Sequence, residues 1–297
     1  MDRSAPTAPA QASDGPAIRG RRWGVGGYVL LAYAISWAWL IPIALSQGLV
    51  SAGDGWPTHF PALLGPLIAA LVLTAAQQGR PGLRDLFGRM TRVRVPVRWW
   101  LFALSPLLLL AVILVFQTVS GRPTSRAQDF AVFSGLPTGW GVLGVAGAIL
   151  LVNGFGEETG WRGFALARLQ RRHSPLVATL VVAAIWAGWH APMFVVVDTF
   201  RSFGPAILVG WVIGLFSGAV VLGWLYNRSG GSILLVAVWH GTYNLISGTA
   251  AATGLLAATS TTSVIALAIA LVGLEIRAGR RGSPSVLGPT VQDVVPV

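Results

Sequence analysis

The sequence predicts an all-α, polytopic transmembrane bundle of about eight membrane-spanning helices with both termini cytoplasmic. Three observations predict it. Of the 297 residues, 54% are hydrophobic and only 10% are charged, where a soluble chain carries roughly 25% charged residues. Eight apolar stretches approach the roughly 20 residues that a spanning helix needs. The arginines fall almost entirely between alternate stretches, as the positive-inside rule requires.

Residues 1–22 are rich in Ala, Pro and Ser and lack periodicity, which predicts a disordered cytoplasmic tail. Arg21 and Arg22 precede a long apolar run with no small-residue cleavage site, favouring a retained helix over a cleaved signal. Stretches 23–45, 58–78 and 98–119 make an N-terminal three-helix membrane region, 23–137. Stretches 138–170, 174–198, 204–226, 231–250 and 252–274 make a membrane core, 138–275, with Thr253-Gly254 separating the last two. The fourth stretch is overlong and turns polar after Asn153, so it is expected to protrude beyond the bilayer. Residues 276–297 read as a second disordered cytoplasmic tail.

With the N-terminus inside, the cytoplasmic face collects the arginines of 1–22, then Arg80, Arg84, Arg89, Arg92, Arg94 and Arg98. Arg162, Arg168, Arg171, Arg172, Arg228, Arg277, Arg280 and Arg281 join them, leaving only Arg122, Arg126 and Arg201 outside. An odd number of spans would scramble this order. Trp23, Trp56, Trp99, Trp100, Trp140 and Trp224 lie near stretch ends, where interfacial anchors belong.

The chain has no cysteine, which rules out disulfides and thiolate metal ligands. Its net charge of +11 comes from 21 basic residues, all arginine. Topology accounts for their placement, so no nucleic-acid partner is expected. Arginine without lysine, beside abundant Ala, Gly and Val, suggests a GC-rich genome and a bacterial plasma membrane.

Polar groups at membrane depth carry the functional signal. The only glutamates are Glu157, Glu158 and Glu275, and two of them stand together after the apolar run 142–152. A charged side chain at mid-bilayer costs about 2.5–3.5 kcal/mol on insertion scales. Glu158 and Arg162 are spaced i,i+4, which predicts an ion pair along one helix face. That pairing makes Glu158 a support and leaves Glu157, with no local cation, as the functional carboxylate. Asn153 and Glu157 share the same spacing on a neighbouring face, as do His240 and Asn244 on a later helix. Glu157 and His190 lie almost equidistant from the turn at His173, roughly 24–26 Å along an antiparallel hairpin at about 1.5 Å per residue. His240 lies about 15 Å into its helix by the same measure. If the hairpin protrudes by about a nanometre, Glu157, His190, His240 and Asn244 meet. Gly156, Gly160 and Gly163 offer a small-residue face for close helix packing. His59 and His173, at stretch ends, carry no expected role, and Trp161, Trp186, Trp189 and Trp239 read as cavity walls or helix packing.

A carboxylate beside an imidazole in a dry cavity can hold a water and take its proton. A second imidazole and an amide can stabilise the oxyanion formed when that water attacks a carbonyl. These parts specify amide or ester hydrolysis without a covalent intermediate. Glu157, His190 and His240 are equally a three-ligand zinc set with an open position. A divalent metal and a metal-free glutamate mechanism both stay open, although the His-Glu-x-x-His helix of zincins is absent.

Glu157-Glu158-x-x-Trp161-Arg162, then Trp186-x-x-x-His190, then His240-x-x-x-Asn244, resembles the ordered motif set of the CPBP intramembrane proteases. That family includes type II CAAX prenyl endopeptidases and bacteriocin-immunity homologues. The resemblance covers about residues 140–250, with Trp186 where Phe is commoner. It implies that Glu157 activates water with help from His190, that His240 and Asn244 bind the oxyanion, and that Glu158 and Arg162 support the site. It also implies a hydrolase of the metalloendopeptidase class. The expected function is an intramembrane endopeptidase cutting a membrane-associated peptide or protein within or near the cytoplasmic half of the bilayer. A transporter using the same carboxylates, or a non-catalytic bacteriocin-immunity membrane protein, is the alternative.

Overall fold

The computed structural model describes residues 24–289. The expected tail 1–22, the Trp23 anchor and residues 290–297 lie outside the described residues. All eight apolar stretches form helices, and no strand occurs among the described residues beyond isolated bridges. The chain is an all-α membrane bundle. Its helices are α1 (Val25–Leu45), α2 (Phe60–Met90), α3 (Val97–Ala103), α4 (Ser105–Val119), α5 (Thr138–Leu169), α6 (Pro175–Val196), α7 (Pro205–Arg228), α8 (Ile233–Ser247) and α9 (Gly254–Arg280).

Six of these are long and apolar enough to cross a membrane, and α3 with α4, bent by 58°, can supply a seventh crossing. The eighth expected span, α8, has only 15 residues. It has fewer residues than the roughly 20 of a full crossing. Leu30, Val119 and Leu143 are 70%, 83% and 89% exposed, as suits side chains that face lipid rather than a core.

Proline, glycine and serine punctuate the helices. Pro175 and Pro205 open α6 and α7 at a position where a missing N–H costs nothing. Ser174 and Ser232 cap α6 and α8 by accepting from Val177 N and Leu235 N. In α2 the axis breaks at Gly79 (φ 61°), followed by Pro81, so the apolar part ends where the sequence stretch ended. Helix α5 departs most from regularity: Ile149–Glu157 and Trp161–Leu166 are π-helical. Wide turns of this kind concentrate at functional sites.

Two ends of the bundle differ. At one, Arg89 donates to the carbonyl of Gly163 (2.8 Å) and to the Tyr226 hydroxyl (2.7 Å), tying α2 to α5 and α7. Part of the expected disordered tail also folds here. Helix α9 runs on to Arg280, and Glu275 then accepts from Ser285 Oγ, Val286 N and Leu287 N. Leu287 is buried and its carbonyl accepts from Asn227. At the opposite end the loops are knitted by backbone bonds, Val50 N to Val196 O, Gly53 N to Phe133 O and Ala250 N to Val132 O.

Candidate active site

Helix α5 is held by close backbone approaches that only glycine permits. A Cβ on Gly154 would sit 2.7 Å from the Ala237 carbonyl oxygen of α8, and one on Gly156 2.9 Å from the Leu63 carbonyl oxygen of α2. One on Gly160 would meet the Tyr28 hydroxyl of α1 and, at 2.7 Å, the backbone of Pro66. The small-residue face read from the sequence is therefore in contact, Gly156 and Gly160 with the first two helices, which carry no motif, and Gly163 with Ile233 of α8. Those helices clamp the glutamate-bearing segment.

That clamped segment buries both carboxylates, but in different company. Glu158 is fully buried and its Oε1 accepts from Arg162 Nη1 at 2.8 Å, the pair the spacing predicted. The same oxygen lies 2.7 Å from His240 Nδ1. Since a carboxylate only accepts, this contact puts the proton on Nδ1. Glu158, Arg162 and His240 thus form one chain across α5 and α8. Glu158 Oε2, Arg162 Nη2, Thr159 Oγ1 and Tyr28 Oη, all buried nearby, have no protein partner.

Glu157 turns the other way, into a cavity of about 620 Å³. Its Oε2 accepts from the Trp186 indole N–H at 2.7 Å. His190 stands where Pro192 interrupts α6, and its Nδ1 is 2.7 Å from the Trp186 carbonyl. A carbonyl only accepts, so His190 also carries its proton on Nδ1 and presents the Nε2 lone pair elsewhere. His240 and Asn244 share one face of α8, and both line the same cavity as Glu157 and His190. The four residues expected to meet do line one space. Glu158 and Arg162 do not line it and stand behind it.

Trp186 is more than the wall the sequence suggested. Its ring contacts His190 and His240 at centroid distances of 5.7 and 5.5 Å, and the Arg162 guanidinium lies 4.8 Å over it. His59, given no role from sequence, is 5% exposed and also lines the cavity, as does Asn153. A loop residue far from the motifs offers no local signal of this placement. His173 lies at the α5–α6 turn and outside the cavity.

Among the described residues no three His, Asp or Glu side chains gather closely enough to hold a metal ion. Glu157 and His190 direct their placed atoms to Trp186, and His240 directs Nδ1 to Glu158.

Residues 139–246, from the start of α5 to the end of α8, match the family model described as type II CAAX prenyl endopeptidase Rce1-like. Over that span the chain is similar to the Rce1-like family. All six candidate residues fall inside that match. The chain is also 25% identical over 181 residues to CAAX prenyl protease 2 of Methanococcus maripaludis, covering 59% of this chain and 64% of that protein. The match spans less than two thirds of that relative's length. The CPBP-type resemblance carried by the motifs and these comparisons agree.

Proposed function

We propose that the chain is an integral membrane endopeptidase that hydrolyses a peptide bond in a membrane-associated peptide or protein, using water activated by Glu157. The observation that carries this reading is the division of labour between adjacent carboxylates. Glu157 faces the cavity that His190, His240 and Asn244 line, while Glu158 is consumed by Arg162 and His240. The Rce1-like match and the curated relative's name support the class.

In this mechanism Glu157 Oε2 is fixed by Trp186, and Oε1 takes a proton from water. The His190 Nε2 lone pair, set by its Nδ1–H bond, accepts water's other hydrogen and aims its oxygen. The water oxygen attacks the peptide carbonyl carbon, and the carbonyl π electrons move to oxygen. Asn244 Nδ2 and His240 Nε2–H donate to that oxyanion. With Nδ1 already bonded to Glu158, donation from Nε2 requires the imidazolium, whose charge the carboxylate balances. Collapse expels the amine, which takes the proton from Glu157. Preorganised donors of this kind are worth about 10²–10³ in rate each. No step runs through a metal.

The test compares membrane-protein termini in cells expressing wild type and Glu157→Ala. New termini should disappear in the variant. Identical termini, with the variant folded and equally abundant, would end the protease reading.

A further inference from the structure

His190 stands at a break in α6, and the break frees backbone groups that a regular helix would serve. A continuing helix would aim His190 N at the Trp186 carbonyl and Met193 N at the Trp189 carbonyl. Instead His190 N donates to Ala187 O at 3.2 Å and Met193 N to His190 O at 2.8 Å. The Trp186 carbonyl is taken by the His190 ring, 2.7 Å from Nδ1. The Trp189 carbonyl is taken by the first helix, where Trp37 Nε1 of α1 donates to it at 3.1 Å. A buried carbonyl needs such a partner, and this one comes from 152 residues away in the chain.

That bond is one of three along a single face of α1. Tyr33, Ser36 and Trp37, spaced i, i+3 and i+4, all reach α6. The Tyr33 hydroxyl donates to the Ile185 carbonyl, and a Cβ on Gly188 would lie 2.9 Å from that hydroxyl. Ser36 Oγ accepts from Trp189 Nε1 at 2.8 Å and donates to the Ala62 carbonyl at 2.7 Å. Ser36 and Trp189 are both fully buried. The relay ties α6 through α1 to the start of α2, where the next residue, Leu63, lines the cavity. Trp189 packs edge-on against His190, with ring centroids 5.0 Å apart. Its carbonyl and its indole N–H are thus both held by adjacent residues of α1, one position before the imidazole that lines the cavity.

We propose, on the protease reading above, that Ser36 and Trp37 are positioning residues for the hydrolysis, setting through Trp189 the angle at which His190 presents Nε2. Neither side chain lines the cavity, so neither touches substrate. With the helix ladder broken at His190, the ring's direction is set by the Trp186 carbonyl and by the Trp189 indole packed on it. A Trp189 ring without its acceptor is free to turn, and the imidazole turns with it. Helix α1 carries no motif, yet it holds one of the reacting groups in place.

The test uses the full chain in detergent and two readouts. The first is kcat and KM for a synthetic peptide spanning a membrane-protein terminus that the wild type generates. Ser36→Ala and Trp37→Phe should each lower kcat, from several-fold up to about 10²-fold, the cost of a misplacement of about 1 Å, with KM unchanged. In a His190→Ala background neither should cost anything further. A merely structural role would keep its full effect there, and that additivity would overturn the assignment. Trp39→Phe is the control, since it removes an indole bond from α1 to the Thr58 carbonyl (2.8 Å) rather than to α6. It should leave kcat unchanged, and an equal loss there also overturns the assignment. The second readout needs no turnover. The chain has four histidines, and ring ¹⁵N spectra identify His190 by the signal lost in His190→Ala. The wild-type ring should carry its proton on Nδ1, and both α1 variants should turn that signal into a mixture of tautomers. An unchanged His190 signal in both overturns the positioning role. Trp37→Phe keeps a ring at a half-buried site and carries both readouts if Ser36→Ala does not fold. Termini that persist in Glu157→Ala would end the protease reading, while the spectra would still report on the relay.

Discussion

Glu157 and Glu158 are neighbours in the chain, yet the regions around them are built on opposite principles. Behind the cavity, the Glu158 cluster is closed: two cationic or potentially cationic groups converge on one oxygen, packed under Trp161 and Tyr28. On the cavity side, Glu157 has one anchored oxygen, the Trp186 bond, and open space in front. A buried carboxylate already committed to an arginine can orient a neighbour but cannot serve as a base. The pair shows how a membrane helix carries two carboxyl groups: one is paired with Arg162 behind the cavity, and the other faces the open space.

The contrast can be attacked from both sides. The largest effect is expected for Glu157→Gln, which keeps the Trp186 hydrogen bond but loses the base. Turnover of a cleaved substrate should fall by about 10²–10⁴-fold, the usual contribution of a general base, with the thermal midpoint of the detergent-solubilised protein unchanged. A variant that unfolds instead would erase the distinction between the two carboxylates.

Arg162→Leu should do the opposite by stranding the Glu158 charge. Removing one partner of a buried pair costs about 3–5 kcal/mol, read as a lowered thermal midpoint. The double variant Arg162→Leu/Glu158→Leu should recover part of that loss, whereas no recovery would mean that the pair is not the source. Gly160→Ala sharpens the packing side. Forcing a methyl against Pro66 should cost about 1–3 kcal/mol, the range for overpacking, while Gly147→Ala, with open space around it, should cost nothing measurable. The smallest loss of activity is expected at Trp186→Phe, which keeps a ring but removes the N–H. Losing one hydrogen bond worth about 1 kcal/mol should lower kcat several-fold and leave KM and the thermal midpoint in place. A change confined to KM would assign Trp186 to substrate contact instead.

Much of this was legible in the sequence because membranes simplify the problem. Length and apolarity located eight stretches that are all helical among the described residues, and i,i+4 spacing gave the Glu158–Arg162 pair. What stayed hidden depends on contacts between distant segments. The bond from His240 to Glu158 joins residues 82 positions apart, and nothing local in either helix announces it. Trp186 read as a wall because an indole N–H declares its partner only in three dimensions. The π-helical turns of α5 also left no periodic signature in a run where glycine and apolar residues alternate. A depth estimate built on a constant rise of about 1.5 Å per residue does not follow a helix with such turns.

The glycine contacts of α5 have a mechanical consequence. Gly154, Gly156, Gly160 and Gly163 meet α8, α2, α1 and Ile233 at successive levels, so the reactive helix is bolted along its length and has no free direction in which to slide. By contrast, Gly204, Gly210, Gly214 and Gly218 of the α7 region have nothing within 4 Å of a would-be Cβ, and residues 204–210 are exposed throughout. The molecule therefore sets a helix packed against its neighbours at every level beside one whose first two turns face outward, and the cavity lies between the two.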